Sequence, residues 1–183
     1  FLFVQADLEQ AESRCIAYLA EDEAYIAAHD AQDVHRMVAA LAYGVSYDEV
    51  TPPQRRIGKT CQHALNYFPG GAPACAKMLS SRTGLSLEEA KRFVAASFAR
   101  FGAVRKYHFT VKGILTGPGS TLTTPFGRTR RFMGAPWMPH TLREAVAYVP
   151  QSMTADTANH GLLKIWNALD GERLQVLQQG HDS

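Results

Sequence analysis

A helix within residues 51–71 constrains the fold more than any other feature of the sequence. Thr51 is a favourable N-cap, and Pro52 is a favoured first helical residue because proline there gives up no helical hydrogen bond. The Pro-Gly-Gly sequence at residues 69–71 prevents the helix from continuing. We therefore predict a helix of about four to five turns between these two signals.

One polar stripe runs along this helix. Arg55, Lys59, His63 and Tyr67 recur at every fourth position, and at about 100° per residue they share one side of the helix. Two cations, an imidazole and a phenol in a row suit an anionic and planar ligand, such as a nucleoside triphosphate. A solvated basic face is the alternative that the pattern leaves open.

Charge is divided unevenly along the chain, although the net charge is only +2. Residues 1–54 hold ten acids against two bases, and residues 82–131 hold ten bases against two acids. A basic half suits a polyanion, and an acidic half can hold metal cations. This division indicates nucleic-acid chemistry.

The composition predicts a soluble intracellular protein without a membrane partner. At 183 residues and 46% hydrophobic, the chain can bury a core, but it has no apolar run long enough to span a membrane and no signal-peptide pattern. Three widely spaced cysteines without a paired zinc motif are interpreted as reduced, buried thiols. The first residue is not Met and both ends fall beside strand-like runs, so we expect a fragment of a longer protein.

Two short apolar runs predict strands, and each leads to an aspartate. Residues 1–4 precede Asp7, and residues 174–177 precede Asp182. An aspartate between a strand and a helix is a common metal ligand. It is also a common N-cap, and for Asp7 the local pattern alone favours the cap.

Between these strands the sequence is mostly helical. Residues 8–29 predict one helix, Asp33 caps a second that Gly44 ends, and Ser86 with Glu89 forms a capping box. Further helices are predicted over residues 72–83, 87–101, 103–115 and from Thr141 with an interruption at Pro150, and a β-hairpin around Phe126-Gly127. Predicted core residues of the helix over residues 87–101 are Leu87, Phe93, Val94, Phe98 and Phe101. Those of the helix from Thr141 are Leu162, Leu163, Ile165, Trp166 and Leu169.

The helix that begins at Pro52 resembles the fingers helix of the A-family, polymerase I-like DNA polymerases. That family has an Arg, a Lys four residues later, an aromatic residue four further on, and then Tyr-Gly. Lys59 and Tyr67 match in spacing, and Arg55 and Arg56 match the paired arginines. His63 departs from the usual aromatic residue.

Other segments resemble further motifs of the family, in the family's order. The palm motif is matched by DLEQAESR from Asp7, with Leu8 in place of Tyr, and an Asp-x-His follows at residues 33–35. Later matches are TPFGRTRR, PQSMTAD (with Ser152 and Met153 unusual) and His181-Asp182-Ser183, where Ser replaces Glu. These departures suggest a divergent, phage-like branch.

The resemblance implies a role for each matched residue. Asp7 and Asp182 would hold two Mg²⁺ ions, and Lys59 would act in catalysis on the triphosphate. Residues implied in binding the dNTP are Arg55, Lys59, His63, Tyr67, His35, Gln10 and Glu12, with Glu12 as the gate beside the sugar C2′ position. Residues implied in binding primer–template DNA are Arg128, Arg130, Arg131, Gln151 and His181. An ordinary exposed histidine at a helix start remains an alternative for His35.

We therefore expect a helix-rich mixed α/β (α+β) fold, with a palm antiparallel sheet and helical fingers. Residues 1–50 would begin the palm, residues 51–115 would form the fingers, and residues 116–183 would return to the palm. The expected function is template-directed DNA synthesis in the cytoplasm of a bacterial or phage-infected cell, with no extension by this chain alone. A non-catalytic nucleic-acid-binding module is the alternative, and a single-subunit RNA-synthesising enzyme is disfavoured by Glu12.

Overall fold

The computed structural model describes residues 5–169, which form a helix-rich fold with one small sheet. This confirms the predicted fold class, while the two predicted palm strands lie outside the described residues. The elements of the described range are α1 (Ala11–Leu19), α2 (Glu23–Ala31), α3 (Val34–Tyr43), α4 (Pro52–Tyr67), α5 (Ala72–Thr83), α6 (Leu87–Arg100), α7 (Ala103–Thr116), β1 (Thr121–Thr123), β2 (Thr129–Arg131) and α8 (Pro139–Ala168).

Local capping signals set the boundaries of the central helices. The Asp33 side chain accepts hydrogen bonds from the first amides of α3, and Gly44 ends that helix at φ 68°. Thr51 and Gln54 form a capping box at the start of α4. The same arrangement of Ser86 and Glu89 opens α6, as predicted.

The predicted single helix over residues 8–29 is wrong, because the chain breaks between α1 and α2. Glu21 adopts φ 53°, and the Asp22 carboxylate accepts a hydrogen bond from the Tyr25 amide at 3.0 Å. This side-chain cap competes with continuation of the helix. The N-cap position of α1 is occupied by Gln10 at φ 52°, so the capping alternative for Asp7 is also wrong.

The predicted interruption at Pro150 is wrong as well, since α8 runs through it. Proline lacks the amide that would bond the carbonyl four residues earlier, which is that of Val146. The Tyr107 hydroxyl of α7 donates to this carbonyl instead, at 2.9 Å. A tertiary contact therefore satisfies the group that proline leaves open.

The buried core includes Ile16, Tyr25, Val38, Leu65, Phe93 and Phe101, contributed by the helices and the turn after α6. Phe93, Val94 and Phe101 are buried as predicted, but Leu87 is 41% exposed. The predicted core role of Leu163, Ile165 and Trp166 is wrong, since all three are more than half exposed. The buried residues of α8 all lie between Thr141 and Asp156, so the last turns project beyond the packed part of the helix.

Helices α3 and α4 approach very closely at Gly58. A Cβ atom at this position would lie 2.4 Å from the His35 carbonyl oxygen and 3.1 Å from the Ala39 Cβ. Only glycine fits here, and the contact fixes α4 beside the first turns of α3. The three cysteines are free thiols, as predicted, and Cys61 and Cys75 are buried, but Cys15 is only partly buried. Within residues 5–169, no helix has the length and apolar character needed to span a membrane.

Candidate functional site

The first residue of the predicted stripe, Arg55, is held by the start of α3. Its Nε donates to Asp33 Oδ2 at 2.5 Å. Burial alone would raise the pKa of Asp33, but the Arg55 guanidinium and the Arg36 amide outweigh it and hold the pKa below the usual value. The two Nη groups of Arg55 make no hydrogen bond with residues 5–169 and remain able to bind an anion.

The last two residues of the stripe meet Glu12 of α1. The Tyr67 hydroxyl donates to Glu12 Oε2 at 2.5 Å, and His63 Nδ1 lies 4.0 Å from the same oxygen. The rings of His63 and Tyr67 pack edge to face, 4.9 Å between centroids. Burial and the hydrogen bond to Glu12 raise the pKa of Tyr67, so the phenol stays protonated. The structure thus brings the predicted sugar gate against the end of the predicted fingers helix.

Lys59 lies between these two pairs and faces a cavity. The cavity has a volume of about 320 Å³ and is lined by Lys59, Thr60, His63 and Ala64 of α4 together with Leu79 and Arg82 of α5. Lys59 makes no hydrogen bond or ion pair with residues 5–169. Arg82 was not singled out by the sequence, because only the packing of α5 on α4 brings it to the stripe.

His35 is buried beneath the basic stripe rather than exposed, which overturns the exposed-histidine alternative. Burial, and the positive charges of Arg55 and Lys59, lower its pKa to about 4. The ring is therefore neutral at pH 7. Its Nδ1 is buried and has no hydrogen-bond partner among the described residues.

Asp7 and Gln10 lie on the segment that leads into α1. Asp7 is exposed and makes no hydrogen bond or ion pair with residues 5–169. Gln10 Nε2 donates to Glu9 at 3.3 Å, and its Oε1 is buried without a partner in the described part of the chain. Asp182 lies outside the described residues, and residues 5–169 hold no cluster of three or more metal-ligating side chains.

The predicted DNA-binding residues lie on the hairpin and α8. Arg128 donates two hydrogen bonds to Asp156, from Nη2 to Oδ1 at 2.5 Å and from Nε to Oδ2 at 3.3 Å. This ion pair holds the pKa of Asp156 below its usual range. Arg130 contacts Glu144 at 3.0 Å, while Arg131 is exposed and makes no ion pair with residues 5–169. Gln151 is exposed on α8, and His181 lies outside the described residues.

A buried polar network holds the face of α4 that adjoins the stripe. Gln62 donates to the Tyr25 hydroxyl at 3.1 Å and accepts from the Ser97 hydroxyl at 3.1 Å. The side-chain amide of Asn66 donates to the Tyr25 hydroxyl at 3.2 Å, and the main-chain carbonyl oxygen of Asn66 lies 2.8 Å from His108 Nε2. No local sequence pattern indicates this network, because its members come from several different helices. The network fixes the rotation of α4 and thereby the direction of the stripe.

Comparisons with known proteins show a family match over the whole chain. The family model described as DNA polymerase family A matches residues 1–183. The chain is 32% identical to DNA polymerase I of Mycobacterium leprae and 35% identical to that of Mycobacterium bovis, in each case over 97% of this chain. It covers 20% of each relative, so it spans about a fifth of the length of these relatives.

A solved structure is similar over nearly the whole chain. It is the POL domain of Pol1 from Mycobacterium smegmatis, in complex with DNA primer-template and dNTP. The TM-score is 0.81 and the sequence identity 31%, over 96% of this chain and 31% of that one.

Proposed function

The chain belongs to DNA polymerase family A, and we propose that it contributes the nucleotide-binding part of a polymerase that adds dNTPs to a primer 3′-hydroxyl under the direction of a DNA template. The observation that carries this proposal is the hydrogen bond to Glu12 from Tyr67, on the same helix as Lys59, whose ammonium has no partner within residues 5–169. This arrangement offers a phosphate-binding charge, a flat aromatic surface and a carboxylate on one side of the site.

Lys59 and Arg55 stabilise the triphosphate of the incoming dNTP. Phosphoryl transfer depends mainly on positioning and on stabilising the charge that spreads over phosphate oxygens. Lys59 has no competing acceptor within residues 5–169, and the Nη groups of Arg55 are available while Asp33 orients its Nε. His35 and Gln10 belong to the same nucleotide site. His35 Nδ1 and Gln10 Oε1 are buried and have no hydrogen-bond partner within residues 5–169.

Glu12 selects the sugar. Tyr67 holds one oxygen of the carboxylate, so Glu12 stands in a fixed position and a ribose 2′-hydroxyl placed there meets an already bonded group. Tyr67, with the neighbouring His63 ring, offers an aromatic surface beside the nascent base pair. This favours DNA synthesis over RNA synthesis.

Asp7 and Asp182 are the proposed Mg²⁺ ligands. Carboxylate oxygens are hard donors that suit Mg²⁺, and Asp7 is exposed and uncommitted among the described residues. Two bound ions would supply activation of the primer 3′-hydroxyl and neutralisation of the leaving pyrophosphate. The chain's own part is to present the carboxylates next to the nucleotide site.

Primer–template DNA is the proposed macromolecular partner. Arg131 would contact backbone phosphates directly, whereas Arg128 and Arg130 are held by acidic side chains and would bind phosphate with their remaining donors. Gln151 and His181 would reach the minor groove and the primer end, a contact that tolerates any sequence. We propose a palm–fingers–palm division at residues 50 and 115 and a place of action in the bacterial cytoplasm.

Primer extension by a complete polymerase that carries this chain tests the function. Asp7→Ala and Asp182→Ala should each reduce extension with Mg²⁺ to background while DNA affinity stays unchanged, because the metal ligands do not hold the duplex. Asp48→Ala is the matched control, since Asp48 is also exposed and makes no hydrogen bond with residues 5–169. Full extension by both aspartate variants would contradict the assignment of Asp7 and Asp182 as metal ligands, whereas no extension by the parent polymerase would favour the non-catalytic binding module.

A further inference from the structure

The cavity between α4 and α5 is large enough to hold part of a ligand. Its volume of about 320 Å³ falls at the lower end of the range of small-molecule sites. Ala64 and Leu79 supply its apolar lining, and Leu79 is fully buried, so this part of the cavity belongs to the packed interface of the two helices. Lys59, His63 and Arg82 supply its polar lining.

The polar lining is basic without a compensating acid. No carboxylate of residues 5–169 lines the cavity, although Glu12 Oε2 lies 4.0 Å from His63 Nδ1. Lys59 and Arg82 make no hydrogen bond or ion pair with residues 5–169. Like charges that converge on one concave surface without counter-charges raise the local positive potential and attract an anion.

Arg82 has no acidic partner within residues 5–169, as is also true of Arg100 and Arg131, but Arg82 lines the cavity together with Lys59. Arg55, Arg128 and Arg130 each bind an acidic side chain. Arg82 stands in the last turn of α5, and none of its side-chain donors is bonded by residues 5–169. A guanidinium binds two phosphate oxygens at once, and a neighbouring ammonium adds a point charge. Together these two groups suit a phosphate ligand.

We propose that Arg82 is a further phosphate-binding residue of this polymerase and that it holds a phosphate group together with Lys59 across the cavity. The phosphate belongs either to the triphosphate of a bound nucleotide or to the backbone of a single-stranded template. This inference rests on the proposed nucleotide-binding function of Lys59. It adds α5 to a proposed site that otherwise draws on α1, α3 and α4.

Equilibrium binding to a complete polymerase tests the inference without turnover. The probes are dNTP, with Mg²⁺ and a dideoxy-terminated primer–template, and primer–template DNA with or without a single-stranded template overhang. Arg82→Gln should weaken one of these by roughly 3- to 10-fold, and Arg82→Lys should restore part of the loss. Arg100→Gln is the control, because Arg100 is an exposed arginine in the last turn of α6 and makes no hydrogen bond or ion pair with residues 5–169.

The two phosphate sources give different results. A weaker dNTP complex with unchanged DNA affinity assigns Arg82 to the triphosphate, and a loss confined to overhang DNA assigns it to the template backbone. If Arg82→Gln matches Arg100→Gln with both probes while Lys59→Gln weakens dNTP binding, the inference is overturned and the proposed function stands. If Lys59→Gln also leaves dNTP binding unchanged, the proposed function fails too.

Discussion

Asp33 connects two helices through its two carboxylate oxygens. Oδ1 accepts hydrogen bonds from the His35 and Arg36 amides at 3.0 and 3.1 Å, and Oδ2 accepts from Arg55 Nε at 2.5 Å. The residue that starts α3 therefore also orients the first cation of the stripe on α4. The folded chain depends on Asp33 for both a helix end and a site residue.

Replacing Asp33 should destabilise the chain more than replacing a surface acid. Asp33→Ala removes an N-cap and an ion pair, for an expected loss of about 1 to 3 kcal/mol in the free energy of unfolding. Asp30→Ala breaks the exposed pair with Arg14 and should cost no more than about 1 kcal/mol. Urea unfolding at pH 7 measures both. Because the pKa of Asp33 is depressed in the fold, its contribution should disappear as the pH falls below the ordinary aspartate range.

Gly58 should tolerate no side chain. Gly58→Ala would place a methyl group 2.4 Å from the His35 carbonyl oxygen, so α3 and α4 must separate, at an expected cost of about 2 kcal/mol or more. Gly113→Ala is the matched control within another helix, because nothing lies within 4 Å of its Cβ position. Thermal unfolding should show Gly113→Ala stabilised by up to about 1 kcal/mol. Equal effects of the two changes would contradict the close helix contact.

Gln62 should matter for stability although it is polar. Gln62→Ala removes one hydrogen bond of the Tyr25 hydroxyl and leaves the buried Ser97 hydroxyl without a partner among the described side chains, with an expected loss of about 1 to 3 kcal/mol. Gln151→Ala makes the same chemical change at an exposed helical position and should lie within about 0.5 kcal/mol of the parent chain. Urea unfolding of the two variants provides the comparison. A stable Gln62→Ala chain would mean that the network does not fix α4.

Acid should destabilise the chain through two buried histidines. Burial lowers the pKa of His29 and of His35 to about 4. Since both pKa values are depressed, the unfolded chain takes up protons first, and stability that is complete above about pH 6.5 is lost as the pH falls toward 4. Each histidine should contribute about 1 to 3 kcal/mol to this loss.

Unfolding free energies at pH 7.5 and pH 5 measure the histidine effect. The difference should shrink in His35→Gln, which cannot be protonated. It should remain in His140→Gln, because His140 is exposed at the start of α8. Identical pH dependence in His35→Gln and the parent chain would show that His35 is not the responsible group.

Local signals predicted the helix ends well, and tertiary contacts account for the errors. Thr51, Ser86 and Asp33 act through neighbouring amides, so their caps are visible in the sequence. The Asp22 side-chain cap breaks the helix although the residues on both sides of it favour a helix. Continuity through Pro150 depends on the Tyr107 hydroxyl, which is distant in the sequence.

The candidate site was only partly predictable for the same reason. The four-residue spacing predicted that Lys59 and Tyr67 share one side of a helix, and the family resemblance implied that Glu12 lies beside the nucleotide. The hydrogen bond between Tyr67 and Glu12 joins residues from distant helices, and Arg82 reaches the cavity only through helix packing. No periodicity or cap encodes such contacts.

Sugar discrimination by Glu12 tests the central claim that this chain positions a deoxynucleotide. In a complete polymerase, Glu12→Ala should lower the ratio of dNTP to rNTP insertion at least about tenfold, because the bound carboxylate no longer opposes a 2′-hydroxyl. Tyr67→Phe should lower the ratio less, since the carboxylate remains but loses its hydrogen bond. Glu23→Ala, an exposed acid in the first turn of α2, is the control.

The decisive measurement is single-nucleotide insertion of matched dNTP and rNTP on one primer–template by the parent polymerase and Glu12→Ala. The parent should strongly prefer the dNTP, and Glu12→Ala should gain rNTP insertion while Glu23→Ala keeps the parent's ratio. An unchanged ratio in Glu12→Ala would contradict the assignment of this site to the sugar of an incoming deoxynucleotide.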